Sequence, residues 1–311
     1  MRTKATLLPA AALAAVLAAV PVPGQAASID EVTSYHAWLA ANEAKETAKA
    51  VESARAYLEK FPTGQYADYL TKWLAATQWS QFNEAIKKKD MAEMVRIGQG
   101  RLKQDPKDLS YLYWMALNLR QNQLLSSTPS THAKEAADFS RRAIELIGAG
   151  GRPEGVDAAK WDKDANLAWL HQSLALVAAK GGNTAEALKE YEVSTGLAPK
   201  DAAIVARNSL GCGSLEKSLY DAAVQKYQAL PEPERTGESP TPAAQAAIDE
   251  ANRHADAAIE CWARFLGATA GSTAQDLRTR IETALAALYQ YRHPDSPEGY
   301  KELVAKQTLA P

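Results

Sequence analysis

The residues able to do chemistry are few and scattered. Histidines stand at 36, 132, 171, 254 and 293, and none falls in an HExxH or paired-His spacing. A zinc site needs such fixed offsets, because its ligands must converge from one helix face or turn. His132 and Glu135 lie one helical turn apart, as many His/Glu pairs on solvated helices do. His171 falls at a packing position. Gly211-Cys212-Gly213-Ser214 has the look of a nucleophile loop, but no strand leads into it and no positioned base accompanies it. A cysteine nucleophile needs that base. The expectation there is a helix end with glycine caps. Carboxylate pairs such as Asp249-Glu250 or Asp162/Asp164 are ordinary on helical surfaces and say nothing about acid–base work. No GxGxxG and no phosphate-binding loop is present. The chain is therefore read as a non-enzyme, with no catalytic residue, cofactor or metal expected.

The elements that hold these residues read as helices. Apolar residues make up 46% of the 311, and they are dominated by Ala and Leu rather than by Val, Ile and Phe. Ala and Leu favour helices, whereas β-branched and aromatic residues favour strands. The fold class expected is all-α.

The N-terminus has a basic start (Arg2, Lys4), an apolar stretch from Ala5 to Val20, and a small-residue site, Gly24-Gln25-Ala26. This is the pattern of a secretory signal peptide, with cleavage expected after Ala26. The apolar run is short of the roughly 20 residues that span a bilayer, and Pro9 interrupts it. No later segment is long and apolar enough to cross a membrane. The expected location is periplasmic or secreted. Loss of residues 1–26 removes two positive charges and no negative ones, taking the net charge from −2 to −4. Nucleic-acid binding rests on clustered Lys and Arg, so a nucleic-acid partner is not expected. The one basic run, Lys87-Lys88-Lys89, reads as the C-terminal end of a helix, where cations oppose the dipole. Cys212 and Cys261 have two readings: a disulfide in an oxidising compartment, or two small hydrophobes buried by helices.

Internal repetition gives the organisation. From Ala168 to Asp201 the chain places Leu174-Ala175, Ala187, Tyr191, Ser194 and Pro199 at the set spacings of a helix–turn–helix repeat, with Gly181-Gly182-Asn183 at the turn. Small residues let two antiparallel helices approach, and Pro ends the second. This segment resembles the tetratricopeptide repeat, although His171 stands where Trp is usual and Ala178 where Tyr is usual. A second unit opens at Leu109 after Asp105-Pro106, with Leu112, Met115-Ala116 and Leu119, then Ala136, Ser140 and Ala143. Insertions near 124–131 and 151–167 account for its departure from a period of about 34 residues. Tyr57 to Ala67 looks like a helix end and restart, and Lys89 to Pro106 like a further second helix. Tyr220-Asp221-Ala222-Ala223 with Tyr227 echoes another unit. The array is expected over 27–230, followed by a Pro-rich loop at 231–242. A C-terminal helical pair follows at 243–311, with an apolar stripe of Leu277, Ile281, Leu285 and Leu288 and a short cap at 298–306.

The resemblance implies an α-solenoid of antiparallel helix pairs wound in a right-handed superhelix. It also implies a concave groove lined by the first helices. Groove positions carried onto this sequence give Tyr113, Trp114, Leu117 and Arg120 in one repeat, Trp169 and Gln172 in the next, and Arg207 in a third. Aromatics and Arg are enriched as binding anchors; the competing reading is that Trp114 and Trp169 fill gaps beneath the insertions. Of the Lys, Asn and Arg residues with which chaperone-binding members hold a peptide carboxylate, most are replaced here, by Tyr113, Leu117, Ser173 and Ala203, and only Arg207 fits, so a clamp of that kind is not expected. The expected function is a scaffold holding a protein or peptide partner. The alternative is a small-ligand or glycan-binding sensor, motivated by seven Trp residues, and less favoured still is an enzyme or enzyme accessory subunit.

Overall fold

The computed structural model describes residues 27–126, 130–236, 239–273 and 275–308. The expected signal peptide, residues 1–26, lies outside them, as do 127–129 of the first insertion, 237–238 of the Pro-rich segment and 309–311 at the end. The described residues form thirteen α-helices, one π turn and two short 3-10 turns, with no strand among them. The all-α expectation is met. No described helix is long and apolar enough to cross a membrane. The described residues fall into two compact units, divided between Glu84 and Ala85 within one helix.

The first unit holds α1 (Ile29–Glu43), α2 (Thr47–Lys60) and most of α3 (Ala67–Lys88). Ser28 caps α1 by accepting from the Glu31 N–H at 3.1 Å. Small residues on α2, Ala50 and Ala54, let Trp38 of α1 and Trp73 of α3 meet edge-to-face, 5.3 Å between ring centres. The helix end and restart fall where the sequence places them, at Lys60 and Ala67. The turn is fixed by a buried knot: Tyr57 Oη donates to Glu31 Oε1 at 2.5 Å, and the same oxygen accepts from the Gln65 N–H at 2.6 Å. Gly64 sits so close that a Cβ there would overlap both Glu31 and the Tyr57 hydroxyl.

The second unit runs α4 (Met91–Gln104), α5 (Leu109–Leu119), a π turn (Arg120–Leu124), α6 (Ala133–Gly148), α7 (Lys163–Lys180), α8 (Thr184–Leu197) and α9 (Ala202–Gln228). It continues with α10 (Glu232–Thr236), α11 (Pro242–Ala268), α12 (Gln275–Arg292) and α13 (Tyr300–Lys306). Side chains of Asp90, Asp108, Asp162, Asn183, Asp201 and Thr241 cap six of these N-termini. Each of α4 to α8 packs on the next in sequence, α8 packs on α9, and α9 packs on α11; α5 also touches α7, and α7 touches α9. That second set of contacts lays α5, α7 and α9 side by side.

Three local expectations give way. Gly211-Cys212-Gly213 is not a helix end but the interior of α9, a single helix of 27 residues that also contains Tyr220 to Tyr227, where the sequence echoes another unit. The glycines serve packing: a Cβ at 211 would strike Tyr191 of α8, and one at 213 the indole of Trp262 on α11. The Pro-rich segment 231–242 contains α10, and Pro242 opens α11 at its first turn, where a missing N–H costs nothing. The insertion at 151–167 ends early, because α7, capped by Asp162, begins at Lys163, five residues upstream of the repeat start expected at Ala168.

Candidate functional site

α5, α7 and α9 carry all seven residues assigned to the groove, Arg120 standing just past the end of α5, and a core group of them meets in space. Arg120 is the first residue of the π turn, confirmed by the Leu125 N–H bonding back to its carbonyl at 3.1 Å. A π turn is a one-residue enlargement of a helix and is frequent at functional positions. The Arg120 guanidinium lies over the Trp169 ring, 4.2 Å from its centre. Its Nη1 donates to Gln172 Oε1 at 2.7 Å. Gln172 Nε2 donates to Asn208 Oδ1 at 2.6 Å; Asn208 Nδ2 donates to Ser194 Oγ at 2.8 Å and to Thr195 Oγ1 at 3.1 Å; Ser194 Oγ donates to the Ala168 carbonyl at 2.7 Å. A buried polar chain thus crosses from the π turn through α7 to α9 and α8.

The electrostatics are unusual. Arg120 is 8% exposed, yet no carboxylate pairs with it among the described residues, and its Nε is shut off from solvent without an acceptor. Burial, and then the positive charge of Arg207, pull its pKa down to about 10. It therefore stays charged at neutral pH. Arg207, one residue before Asn208, is exposed and also has no carboxylate partner among the described residues.

Tyr113 is buried and donates through its hydroxyl to Asn166 Oδ1 on α7, and its ring meets Trp114 and Trp161 edge-on at 5.2 and 5.5 Å. Burial pushes its pKa well above the ordinary tyrosine value. Trp114 and Leu117 are half-buried on α5. Of the seven residues, Arg120, Trp169 and Gln172 touch directly, Arg207 acts on Arg120 through its field, and Tyr113 and Trp114 form an adjoining aromatic patch. The sequence reading missed Asn208, Asn166 and Trp161. Asn208 had a signal, since an amide in mid-helix beside a groove position is poorly placed for solvent and implies a buried partner. Trp161 was hidden in an insertion. Ser110, a groove position by the same register, is instead spent on holding that insertion, its Oγ accepting from the Glu154 N–H at 2.8 Å.

His171, His254 and the two cysteines resolve as helix-to-helix ties. His171 Nδ1 meets Glu190 Oε2 at 2.6 Å across α7 and α8, and His254 Nδ1 meets Glu216 Oε2 at 2.6 Å across α11 and α9. Cys212 and Cys261 form a disulfide joining α9 and α11, with Cα atoms 6.0 Å apart. It lies on the wall of a cleft of about 680 Å³ between α8, α9 and α11. His132 Nδ1 lies 3.6 Å from Glu135. Compared with known proteins, the chain matches no family model, and no curated protein matches it.

Proposed function

We propose that the protein is an exported scaffold of the tetratricopeptide type, a solenoid of helix pairs that holds a protein or peptide partner along the face made by α5, α7 and α9. Its action is equilibrium binding rather than a reaction. The observation that carries this reading is the convergence of Arg120 from the π turn, Trp169 and Gln172 from α7 and Arg207 from α9, with the Tyr113–Trp114 patch beside them. Rigid aromatics and guanidiniums are the side chains that dominate binding energy when they are pre-positioned. Export rests on the sequence of residues 1–26. The glycan alternative draws less support: none of the seven tryptophans is exposed, and the Trp169 face that a sugar ring would stack on is covered by Arg120.

The test is affinity capture with residues 27–311 from the native envelope fraction, wild type beside Trp169→Ala and Arg207→Ala. A stoichiometric partner lost with both variants is expected. A partner held equally by all three proteins, or none at all, would refute the scaffold reading of this face. Mass spectrometry of the native N-terminus, expected at Ala27, checks export.

A further inference from the structure

On α9, Ser209, Cys212 and Glu216 recur at steps of three and four residues, so helical phase lays them along one side of the helix. Lys189, Glu192 and Gly196 follow the same steps on α8, and Cys261 and Arg264 stand one turn apart on α11. Where these three sides meet, the helices do not close. Gly196 leaves the gap open, since nothing lies within 4 Å of a Cβ there. The space left is the cleft of about 680 Å³, a size typical of small-molecule sites.

Two properties of this cleft bear on chemistry. Its wall carries an electrophile, the Cys212–Cys261 disulfide, with Cys212 half-buried and Cys261 only 5% exposed. A disulfide open to solvent is labile where a buried one resists reduction. Its lining also carries both signs of charge, with Lys189 and Arg264 beside Glu192. Mixed charge of this kind complements a zwitterion better than an uncharged molecule.

We propose that the cleft is a site of thiol–disulfide exchange for a small zwitterionic thiol, of the amino-acid or peptide class, which is taken up on Cys212. The thiol gives its proton to water, and its thiolate forms a bond to Cys212 Sγ, the more accessible sulfur. The Sγ–Sγ bond breaks, and its electron pair leaves on Cys261. That thiolate forms one turn from the Arg264 guanidinium and is then protonated by water. The exchange needs no further oxidant or reductant, and attack of Cys261 on Cys212 Sγ releases the thiol again. The reverse step has its partner in place, because Trp262 and the alanines of α11 keep the helices packed while the bond is open. The site is independent of any binding at the α5–α7–α9 face.

The probe is reduced glutathione added to residues 27–311 in native buffer, with β-mercaptoethanol at equal thiolate concentration as the uncharged comparison. Iodoacetamide quenches the reaction, and peptide mass spectrometry places the adduct. Glutathione is expected on Cys212, with Cys261 alkylated, at a rate about tenfold or more above that of β-mercaptoethanol. Gly196→Trp puts an indole in the opening and is expected to slow glutathione by about tenfold, with native circular dichroism and Tm. Lys189 is exposed, and Lys189→Glu is expected to slow glutathione but not β-mercaptoethanol, which keeps the test intact should the tryptophan variant fail to fold. Glutathione on Cys261, reaction only in denaturant, equal rates for the two thiols, or a glutathione rate unchanged by Lys189→Glu would each overturn the site.

Discussion

Gly213 of α9 lies against the indole of Trp262 on α11, so close that even a methyl group in its place would overlap the ring. Trp262 is 4% exposed and packed among Ile259, Phe265 and Leu266, so it has nowhere to retreat. Gly213→Ala is therefore expected to destabilise the protein by about 1–3 kcal/mol, the usual cost of overpacking, despite alanine's better helix propensity. Gly100 on α4 is the internal comparison, because nothing lies within 4 Å of a Cβ there. Gly100→Ala is expected to stabilise by up to about 1 kcal/mol. Denaturant melts of the two variants should move in opposite directions, and a shared direction would contradict this account of the glycines.

The Cys212–Cys261 bond closes a loop over 49 positions. In the chain-entropy picture a loop of that size contributes about 4 kcal/mol, chiefly by restricting the unfolded chain. The helices it joins also pack through Trp262 and the alanines of α11, so their pairing does not depend on it. Cys212→Ser with Cys261→Ser is expected to lose about 2–4 kcal/mol while keeping native helix content by circular dichroism at room temperature. Loss of helix content under native conditions would show that the bond, not the packing, pairs α9 with α11.

Tyr57 is wholly buried, and its hydroxyl both donates to Glu31 and accepts from the Tyr66 N–H at 3.1 Å. Tyr57→Phe keeps the ring and leaves both partners short, for an expected cost of about 1–3 kcal/mol. Hydrogen exchange should quicken at the amides of Gln65 and Tyr66 in particular. A uniform change across the chain would mean that the knot does not organise this turn.

Alkaline pH should weaken the fold, with a sign that can be worked out. Burial pushes the pKa of Tyr111 and Tyr191 up to about 12 and those of Tyr57 and Tyr113 higher still. A raised pKa contributes stability that is complete below the unfolded value near 10 and is lost as pH climbs toward the folded value. Arg120 works the opposite way, its folded pKa near 10 lying below the unfolded one, so its share improves over the same window. Four tyrosines against one arginine give a net fall. Thermal melts from about pH 9 to about pH 11.5 should show a declining Tm, with tyrosinate absorbance from the buried rings appearing only on unfolding. A flat Tm over that range would contradict the burial assigned to them.

Helix type and many boundaries were legible because they are written locally. Asp108, Asn183 and Asp201 announce the starts of α5, α8 and α9, and Gly182, at φ +77°, the turn between α7 and α8. The interior glycines of α9 were misread because Gly carries two meanings, a turn or a close approach, and only the position of Tyr191 and Trp262 distinguishes them. The groove register brought Arg120, Trp169 and Gln172 together, since helical phase is also local. What the register could not supply was the extra residue of the π turn, or Asn208 as the next link, because both depend on which helix lies alongside.

The hydrogen-bonded chain that starts at Arg120 has a sense of direction. A guanidinium can only donate, so Gln172 must turn its oxygen toward Arg120 and its NH₂ toward Asn208. Asn208 must then turn its own NH₂ toward Ser194, whose hydroxyl is left to donate to the Ala168 carbonyl. The charge at one end and the Ala168 carbonyl at the other, which can only accept, thus decide the orientation of two buried amides and a hydroxyl. Were that charge replaced by a group able both to give and to accept a proton, Gln172 and Asn208 could turn over together at the loss of the Ser194 donation to that carbonyl. The interior of the α7–α8–α9 layer would then have a second isomer of the same packing within reach where the native protein has one.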